Sequence, residues 1–370
     1  MSTVFPLPRL VLGAGSLSKL KEELALLGAH RPFLLSDRGL ERAGAVTKAM
    51  QVLPENTVQY LDVPENPTTA GADAALSAYR RGNCDGIVAL GGGSVIDTGK
   101  FVAALAGSEL KTSTELLGNP GLLGPRVTPL IAVPTTVGTG SESSPVSALH
   151  ADAHSPAIGT RSPHLVPNTA ICDPDLARTL PPKLIAATGI DAMAHCIEGY
   201  FAVPDNPIVN ALALDGLARA FSNIVAATKP DGDEARCSMM EAAFAGGAAI
   251  HKGLGPAHAI AIVCGDQGLH HGVLIAAALP FTVELVVRRV PEKASRIASV
   301  LGLTDCSDLK QILQSLNKEL GLPNTYREAG YTMTDLDELA RNILKSHFNR
   351  TSPYLPTHGE YRAILQRLQD

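Results

Sequence analysis

The chain contains no tryptophan, and only 4% of its 370 residues are aromatic. This composition indicates aliphatic cores and offers no aromatic platform on which nucleic-acid bases would stack. The net charge of −5 and the pI near 6.1 also argue against a polyanionic partner. Lysine and arginine form no dense cluster. We therefore expect neither a nucleic-acid partner nor an anionic membrane surface as a partner.

The sequence also lacks a CxxC pair, although it contains six cysteines. Scattered cysteines in a chain of this length indicate reduced thiols rather than a disulfide framework. The N-terminus has neither the basic nor the apolar segment of a secretory signal. The longest apolar stretch, at residues 273–287, is interrupted by Pro280 and Glu284 and is too short to cross a bilayer. We therefore expect a cytoplasmic protein that does not span a membrane.

What the sequence does contain is two patterns of hydrophobicity, one after the other. Strand-like segments at residues 32–36, 57–61, 86–90 and 129–133 alternate with helical patterns at 70–81 and 95–105. The last two of these segments are continuous apolar runs typical of buried strands. After Pro181 and Pro182, helical patterns dominate, including residues 207–228 and 233–246. These patterns predict an α/β domain with a parallel sheet over residues 1–180 and an all-helical domain over residues 181–370. The boundary should fall between residues 178 and 184.

Three consecutive glycines, Gly91, Gly92 and Gly93, follow one of the predicted buried strands and precede a helical pattern. Glycine lets the backbone approach a phosphate closely, and the N-terminus of the following helix favours negative charge. Ser94 and Asp97 stand at the spacing of a capping box, which predicts the start of this helix. The loop predicts a phosphate-binding turn. Because the full GxGxxG fingerprint is absent, a tight turn that binds nothing is the alternative.

A second loop, at residues 134–144, follows another predicted strand and is rich in glycine and hydroxyl groups. Two loops at the ends of parallel strands in one sheet face the same crevice, where such sheets bind ligands. A solvated loop that caps the next element is the alternative. Asp37 follows the strand at 32–36, where a carboxylate binds ribose hydroxyls and repels a 2′-phosphate. That position favours NAD over NADP, although Asp-Arg-Gly is also a common turn.

The helical half contains residues suited to binding a divalent metal. Asp191 and His195 are four residues apart on a predicted helix and project from one face. His258, His270 and His271 follow in segments rich in small residues. One carboxylate with two or three imidazoles suits Fe²⁺ or Zn²⁺. On spacing alone, the alternative is a hydrogen-bonded Asp–His pair with unrelated loop histidines.

Together these motifs resemble those of the iron-containing (group III) alcohol dehydrogenase family over essentially the whole chain. The family patterns are met in order at residues 91–100 (GGGSxxDxxK), 134–142 (PTTxGTGSE), 191–198 (DAxxHxxE), 253–259 (GLGxxHA) and 271–272 (HG). The resemblance implies a Rossmann-like domain followed by an all-helical domain, in the architecture of dehydroquinate synthase. It also implies catalysis between the two domains and a homodimer or larger homo-oligomer.

The same resemblance assigns residues to a metal and to a cofactor. The metal, Fe²⁺ with Zn²⁺ as the alternative, is expected on Asp191, His195, His258 and His271. The cofactor, NAD with NADP as the alternative, is expected against Asp37, Asn66, Gly91, Gly92, Gly93, Ser94, Asp97, Thr135, Thr136, Thr139 and Ser144.

The chain departs from the family in three places, one of which is near Ala157, where a lysine that often contacts the cofactor is replaced. Ile262 occupies a position where many relatives carry a histidine implicated in proton relay. The interval from His258 to His271 is one residue shorter than usual, with His270 beside it as a substitute ligand.

The resemblance implies that a metal polarises a carbonyl oxygen while hydride passes between nicotinamide and the carbonyl carbon, interconverting an alcohol and an aldehyde. We expect His270 to carry the proton, with a surface histidine as the alternative. Lys252 and His251 precede the metal loop where relatives that use neutral alcohols carry apolar or amide residues. A cation there suits an anionic group. The segment thus resembles the phosphonoacetaldehyde and semialdehyde reductase branch and predicts a short aldehyde bearing phosphonate, carboxylate or sulfonate. A solvated surface lysine is the alternative.

Two other functions fit the same motifs. A lyase of the dehydroquinate-synthase type uses NAD and a metal without net redox, and a non-catalytic binding module keeps the cofactor cleft alone. Stoichiometric consumption of NADH separates a dehydrogenase from both.

Overall fold

The computed structural model describes residues 5–125, 128–153 and 155–370. The described chain up to Leu180 forms strands β1 (Arg9–Leu12), β2 (Pro32–Leu35), β3 (Val58–Tyr60), β4 (Gly86–Gly91), β5 (Leu130–Pro134), β6 (Val146–His150), β7 (Ala157–Arg161) and β8 (Thr169–Cys172). Its α-helices are α1 (Leu20–Leu26), α2 (Arg38–Arg42), α3 (Ala45–Met50), α4 (Thr69–Arg81), α5 (Gly93–Ala106) and α6 (Ser113–Leu116).

Six of these strands form one parallel sheet in the order β1-β8-β5-β4-β2-β3. The predicted parallel sheet is therefore confirmed, with β2 to β5 at the four predicted strand-like segments. The sequence did not identify β1 or β8, nor the antiparallel pair β6–β7. Strand β1 is mostly exposed and β6 and β7 are partly exposed, so they lack the buried pattern of a central strand, whereas β8 is fully buried but only four residues long.

Side chains that alternate along the strands build a core on each face of the sheet. Phe33 and Ile87 point into one cluster, and Leu34 and Val88 point into the other. Burial of both faces explains why β2, β4 and β5 read as unbroken apolar runs.

The order of the strands creates a switch point between β2 and β4. The chain leaves β2 for β3 on one side and then crosses to β4 on the other. Ligands of open α/β sheets bind beyond the carboxyl ends of strands at such a point. The residues that follow β2 and β4 there are Ser36 and Asp37 on one strand and Gly92 and Gly93 on the other.

Among the described residues after Pro181, all elements of regular secondary structure are helices. The α-helices are α7 (Pro182–Phe201), α8 (Pro207–Ala227), α9 (Asp233–Ala249), α10 (Pro256–Val263), α11 (His271–Val287), α12 (Pro291–Leu301), α13 (Leu309–Glu319), α14 (Leu336–Leu344) and α15 (His358–Gln369). The chain divides into two compact units: residues through Thr136 with Gly140–Leu180, and Val137–Thr139 with Pro181–Asp370. The all-helical second half predicted from the sequence is confirmed.

Local signals explain where two long helices begin. Helix α8 has Pro207 in its first turn, and the side chain of Asn206 accepts hydrogen bonds from the backbone N–H groups of Ile208 and Val209. Helix α7 begins at Pro182, and every residue from Ile185 to Phe201 is buried. A helix that is buried all round is the core of its unit.

The apolar stretch that contains Pro280 forms one continuous helix. Helix α11 runs unbroken through this proline and packs against α7 and α13. Packing on both sides outweighs the loss of one helical hydrogen bond. Within the described residues, α8 is the one helix that is long and apolar enough to cross a membrane on length and composition. It packs against α7 and α9, and a core helix passes the same test.

Candidate functional site

The long helix α7 carries three of the polar side chains that converge in the helical unit. Asp191, His195 and Glu198 are spaced by four and three residues, so they share one face of α7. Each has an exposed fraction of only 5 to 6%. Because an unpaired buried carboxylate is costly, this face must be matched by groups on neighbouring segments.

Two glycines let neighbouring segments approach α7 closely. A Cβ on Gly138 would lie 1.8 Å from the carbonyl oxygen of Thr188, and a Cβ on Gly272 would lie 2.3 Å from that of Ala187. Neither contact leaves room for a side chain. The first glycine holds residues 137–139 against α7, and the second holds the start of α11, where His271 is the first helical residue.

The four predicted metal ligands converge on one carboxylate oxygen. Asp191 Oδ1 lies 3.6 Å from His195 Nε2, 3.6 Å from His258 Nε2 and 3.8 Å from His271 Nε2. The rings of His195 and His258 stack with centroids 4.8 Å apart, and the ring of His271 lies 5.5 Å from that of His258. The structure thus brings all four together. His271, with 40% of its side chain exposed, is the most accessible.

This arrangement fits a divalent cation. Asp191 Oδ1 and His258 Nε2 are buried and have no hydrogen-bond partner among the described residues. Two ligand atoms that each lie about 2.1 Å from a tetrahedral metal are roughly 3.4 Å apart. The observed separations from Asp191 Oδ1 are close to that value. A donor set of one carboxylate oxygen and three imidazole nitrogens suits Fe²⁺ or Zn²⁺.

The electrostatics of the cluster favour the metal-binding forms of His195 and Asp191, whereas His258 holds a proton. Burial lowers the pKa of His195 to about 4, so its imidazole is neutral near pH 7. Burial alone would raise the pKa of Asp191, but the neighbouring imidazoles, that of His195 most strongly, hold it well below its usual value. Burial alone would lower the pKa of His258, but the carboxylates of Asp191 and Glu198 raise it to about 9. Binding of a cation therefore displaces a proton from His258.

Two residues that the sequence did not identify contact the cluster. Glu198 Oε2 lies 2.6 Å from His258 Nδ1. Its position one turn after His195 on the same face of α7 was a usable signal. The ring of Phe348, in the 3₁₀ turn His347–Arg350, lies 5.7 Å from the ring of His258. No local pattern marks Phe348, because the contact joins distant parts of the sequence.

Lys252 does not support the role predicted for it. Its Nζ donates hydrogen bonds to the carbonyl oxygen of Tyr200 at 3.1 Å and to Asn210 Oδ1, and the residue is only 3% exposed. The ammonium group therefore caps the C-terminal end of α7, where a cation is favoured. Burial lowers its pKa to about 8. The predicted contact with an anionic substrate is corrected for this residue. His251 lies beside it on the 3₁₀ turn Ile250–Lys252 and is not among the ligand atoms described above.

His270 lies at the start of α11 as its N-cap residue. Its Nδ1 accepts a hydrogen bond of 3.1 Å from the backbone N–H of Gly272. The proton of a neutral imidazole is then on Nε2, the only ring nitrogen left to exchange it. Ile262 lies on α10 one turn after His258 and cannot relay a proton. A proton-carrying role for His270 stays a prediction.

In the α/β unit, the two predicted phosphate-binding loops lie side by side. Gly91 on β4 pairs in register with Pro134 on β5, and the N–H of Thr135 donates to the carbonyl oxygen of Gly91 at 3.0 Å. A Cβ on Gly92 would lie 3.1 Å from Thr136 Cγ2. Thr136 Oγ1 is buried and has no hydrogen-bond partner among the described residues. An unpaired buried hydroxyl thus lies beside the glycine turn.

Helix α5 begins earlier than the capping-box spacing predicted. Its N-cap residue is Gly92, without a side-chain cap, so the N–H groups of its first turn are not blocked by a side chain. Ser94 Oγ instead donates to the carbonyl oxygen of Glu65, which ties the loop carrying the exposed Asn66 to this helix. Asp97 accepts from the backbone N–H of Ala148 at 2.8 Å. The capping-box prediction was wrong because both side chains bond to other segments.

Two more predicted cofactor residues, Ser144 and Asp37, have partners within the protein. Asp97 also accepts from Ser141 and lies 3.8 Å from the fully buried Lys100 Nζ. Lys100 in turn donates to the carbonyl oxygen of Ser144 at 3.1 Å and to its Oγ at 3.2 Å. Asp37 Oδ1 accepts from the N–H of Leu40 at 2.9 Å and caps helix α2. Thr139 belongs with Val137 to the helical unit.

A parallel α/β unit with a glycine-rich turn, and a helical unit with a buried Asp–His cluster, are the two parts of the iron-type dehydrogenase class. The chain belongs to the iron-containing alcohol dehydrogenase family. The profile described as iron-containing alcohol dehydrogenase matches residues 8–174, and that described as Fe-containing alcohol dehydrogenase family, C-terminal, matches residues 185–369. The resemblance seen in the motifs is confirmed, and the protein is an oxidoreductase of this family.

The chain is similar over its full length to proteins with assigned activities. It is 37% identical to 4-hydroxybutyrate dehydrogenase of Cupriavidus necator over 383 residues, covering 99% of this chain and 100% of the relative. It is 27% identical to NAD-dependent methanol dehydrogenase of Bacillus methanolicus over 380 residues, covering 99% of each. The structure of a 1,3-propanediol oxidoreductase superposes with a TM-score of 0.92 at 29% identity, covering 100% of both chains.

Proposed function

We propose that this protein is a metal-dependent, NAD-linked dehydrogenase that interconverts a primary alcohol bearing an anionic group, most specifically a carboxylate, and the corresponding aldehyde. The observation that carries the proposal is the cluster around Asp191 Oδ1, where three imidazole Nε2 atoms approach an oxygen that has no hydrogen-bond partner in the described part of the chain. Membership of a dehydrogenase family favours net redox over the lyase chemistry of dehydroquinate synthase.

The proposed metal ligands are Asp191, His195, His258 and His271. When bound, the metal supplies Lewis-acid polarisation of the substrate oxygen, so that no protein nucleophile is needed. Asp191 provides the single negative charge of the four ligands, which leaves a site holding a divalent cation with net positive charge. Burial of His195 and His258 keeps water from that side, and the half-exposed His271 marks the side open to a substrate.

The proposed cofactor is NAD, with NADP as the alternative. The name of the methanol dehydrogenase relative supports NAD, as does Asp37 beside the switch point of the sheet. We propose that backbone N–H groups of the glycine turn bind phosphate. Asp97 and Ser144 would hold the neighbouring segments in place through hydrogen bonds within the protein. The remaining proposed contacts are Asp37, Asn66, Gly91, Gly92, Gly93, Ser94, Thr135, Thr136 and Thr139.

The preference for a carboxylate rests on the 37% identity to a 4-hydroxybutyrate dehydrogenase. A second candidate, a neutral short alcohol, is favoured by the likeness to the 1,3-propanediol oxidoreductase structure. Purified protein loaded with Fe²⁺ or Zn²⁺ should be assayed with 4-hydroxybutyrate, 1,3-propanediol and methanol, each with NAD and with NADP. We expect kcat/KM to be at least about tenfold higher for 4-hydroxybutyrate with NAD, which corresponds to roughly 1.4 kcal/mol.

Equal or higher kcat/KM for 1,3-propanediol would replace the carboxylate with a neutral substrate. No reduction of NAD or NADP with any alcohol, in protein with bound metal, would overturn the proposed function itself.

We further propose a cytoplasmic homodimer or larger homo-oligomer. All six cysteines are free thiols, which suits a reducing compartment. Leu10 and Leu12, on the edge strand β1, are 42% and 41% exposed, and apolar sheet edges are usually covered. Light scattering on the eluted protein should give at least twice the mass of one chain, and the mass of a single chain would refute the oligomer.

A further inference from the structure

Glu198 makes three close contacts with the N-terminal end of helix α10. Its Oε2 accepts a hydrogen bond of 2.9 Å from the N–H of Gly255 and lies 2.6 Å from His258 Nδ1, and its Oε1 accepts one of 2.7 Å from the N–H of Ala257. All three partners lie at the N-terminal end of α10, where a carboxylate is favoured. Both oxygens of a carboxylate that is 6% exposed are therefore engaged.

The absence of a side chain at Gly255 lets the Glu198 carboxylate lie close to the backbone. A Cβ on Gly255 would lie 2.9 Å from Glu198 Oε1, so that any side chain at position 255 would displace the carboxylate. The glycine that precedes α10 thus has a packing role toward Glu198.

The contact with Nδ1 decides which nitrogen of His258 is available to a metal. A neutral imidazole has one N–H and one lone pair. An ionised Glu198 can only accept, so Nδ1 must carry the hydrogen and Nε2 must carry the lone pair. His258 Nε2 is the atom that lies 3.6 Å from Asp191 Oδ1. The carboxylate therefore selects the tautomer that the metal cluster needs.

We propose that Glu198 is a positioning residue that fixes the tautomer and the ring plane of His258, and through them the affinity of the cluster for its metal. This inference rests on the proposed function, since it needs the metal site around Asp191. Outer hydrogen bonds of this kind typically change metal affinity by roughly 10- to 100-fold.

The substitution Glu198→Gln tests the inference with little change of shape. An amide presents one NH₂ group, which meets either the N–H of Ala257 or the pair formed by the N–H of Gly255 and His258 Nδ1. Metal-free protein should be titrated with Co²⁺ and with Zn²⁺ against a competing chelator. We expect affinity to fall roughly 10- to 100-fold relative to the wild type, together with a changed Co²⁺ absorption spectrum.

Asp173→Asn is the matched control, because Asp173 is a buried carboxylate that accepts from the backbone N–H groups of Gly15, Leu17 and Asp175. It should lower thermal stability without changing metal affinity. A loss of less than about threefold in Glu198→Gln, or an equal loss in Asp173→Asn, would overturn the inference. If the wild type binds no metal, the proposed function fails instead, so the two failures are distinguishable.

A second measurement needs no variant at that position. Nitrogen-15 NMR of the histidines in Zn²⁺-loaded wild-type protein reports which ring nitrogen carries hydrogen. We expect the His258 signals, assigned with His258→Gln, to show hydrogen on Nδ1. Hydrogen on Nε2, or a metal on Nδ1, would overturn the inference even if Glu198→Gln failed to fold.

Discussion

The two units of this protein prepare polar groups for ligands in opposite ways. In the helical unit, Asp191 Oδ1 and His258 Nε2 are buried and close together, and neither has a hydrogen-bond partner among the residues that the structure describes. In the α/β unit, most side chains that the motifs indicate already bond within the protein, as Asp97 does to Ala148. The metal cluster thus consists of side chains whose ligand atoms are unpaired, whereas in the cofactor loops side chains hold the backbone in place.

This difference teaches how motif residues should be interpreted. In the pattern GGGSxxDxxK, the glycines leave the backbone open, while Asp97 and Lys100 hold the segment that contains Ser144. In the pattern DAxxHxxE, two residues are proposed metal ligands, and the third, Glu198, orients a ligand on another helix. A side chain without a partner in the protein is the better candidate for direct contact with a ligand.

Neutralising Asp191 should have the largest effect on the helical unit, because this residue is the charged ligand of the cluster. We expect Asp191→Asn to lose its bound metal and roughly 10³-fold or more in kcat, because the carboxylate is the only negative ligand at the cluster and metal catalysis contributes several kcal/mol. Elemental analysis and steady-state assays measure both. Asp215→Asn, which alters a mostly exposed carboxylate paired with Arg219, is the control. Retention of metal in Asp191→Asn would place the site elsewhere.

Neutralising Lys100 tests whether buried side chains hold the cofactor loops of the α/β unit in place. Its ammonium is fully buried and lies 3.8 Å from Asp97. Lys100→Met therefore leaves a largely buried carboxylate without its cation but with its hydrogen bonds from Ser141 and Ala148. We expect the free energy of unfolding in urea to fall by about 3–5 kcal/mol. Lys111→Met, at an exposed position, should change it by less than about 0.5 kcal/mol. A small effect of Lys100→Met would show that these side chains do not hold the loops.

Glu142, which ends the second loop motif, makes the stability of the α/β unit depend on pH. Burial raises the pKa of Glu142 from 4.5 to about 7, and the nearby charge of Lys100 offsets this only in part. The folded state binds this proton more tightly than the unfolded state, so the contribution is full below pH 4.5 and is lost as pH rises to 7.

We therefore expect Glu142→Gln to be more stable than the wild type at pH 8 by roughly 3 kcal/mol, with the gain shrinking toward pH 5. Urea unfolding at several pH values measures this. A constant difference between the two proteins across that range would contradict the prediction.

The sequence predicted the fold well because the signals were local. Unbroken apolar runs marked β2, β4 and β5, since both faces of the sheet are covered. The edge strand β1 and the pair β6–β7 carry no such run, so their pairing depends on contacts that the sequence does not display.

The site was predicted less evenly. The spacing of Asp191 and His195 on α7 indicated a shared face, and the family motifs added His258 and His271. The role of Lys252 could not be predicted, because its partner is the carbonyl oxygen of Tyr200, a backbone atom far away in sequence. Nor could the sequence tell whether a motif hydroxyl or carboxylate already had a partner, which decides whether it is free for a ligand.

Lys252 tests, with a smaller expected effect, whether a side chain that has partners in the protein also contacts the substrate. Since its ammonium caps α7, Lys252→Ala should lower Tm by a few degrees, about 1–2 kcal/mol of stability. The ratio of KM values for 4-hydroxybutyrate and 1,3-propanediol should not change. Lys318→Ala, at an exposed position on α13, should alter neither quantity. A selective rise in KM for the carboxylate would restore the substrate contact first predicted from the sequence.

The smallest expected effect concerns Thr136, the one proposed cofactor side chain with an unpaired buried hydroxyl. Thr136→Val keeps the shape and removes the hydroxyl. In the absence of NAD it should stabilise the protein slightly, because an unpaired polar group leaves the interior. In its presence, loss of a hydrogen bond worth about 0.5–1.5 kcal/mol should raise KM for NAD roughly 2- to 10-fold. Thr282→Val, which removes a buried hydroxyl that bonds within α11, should leave KM for NAD unchanged. If Thr136→Val is more stable without NAD but has a higher KM for NAD, the hydroxyl is left unpaired in the protein because it binds the cofactor. An unchanged KM for NAD would show that Thr136 has only a structural role.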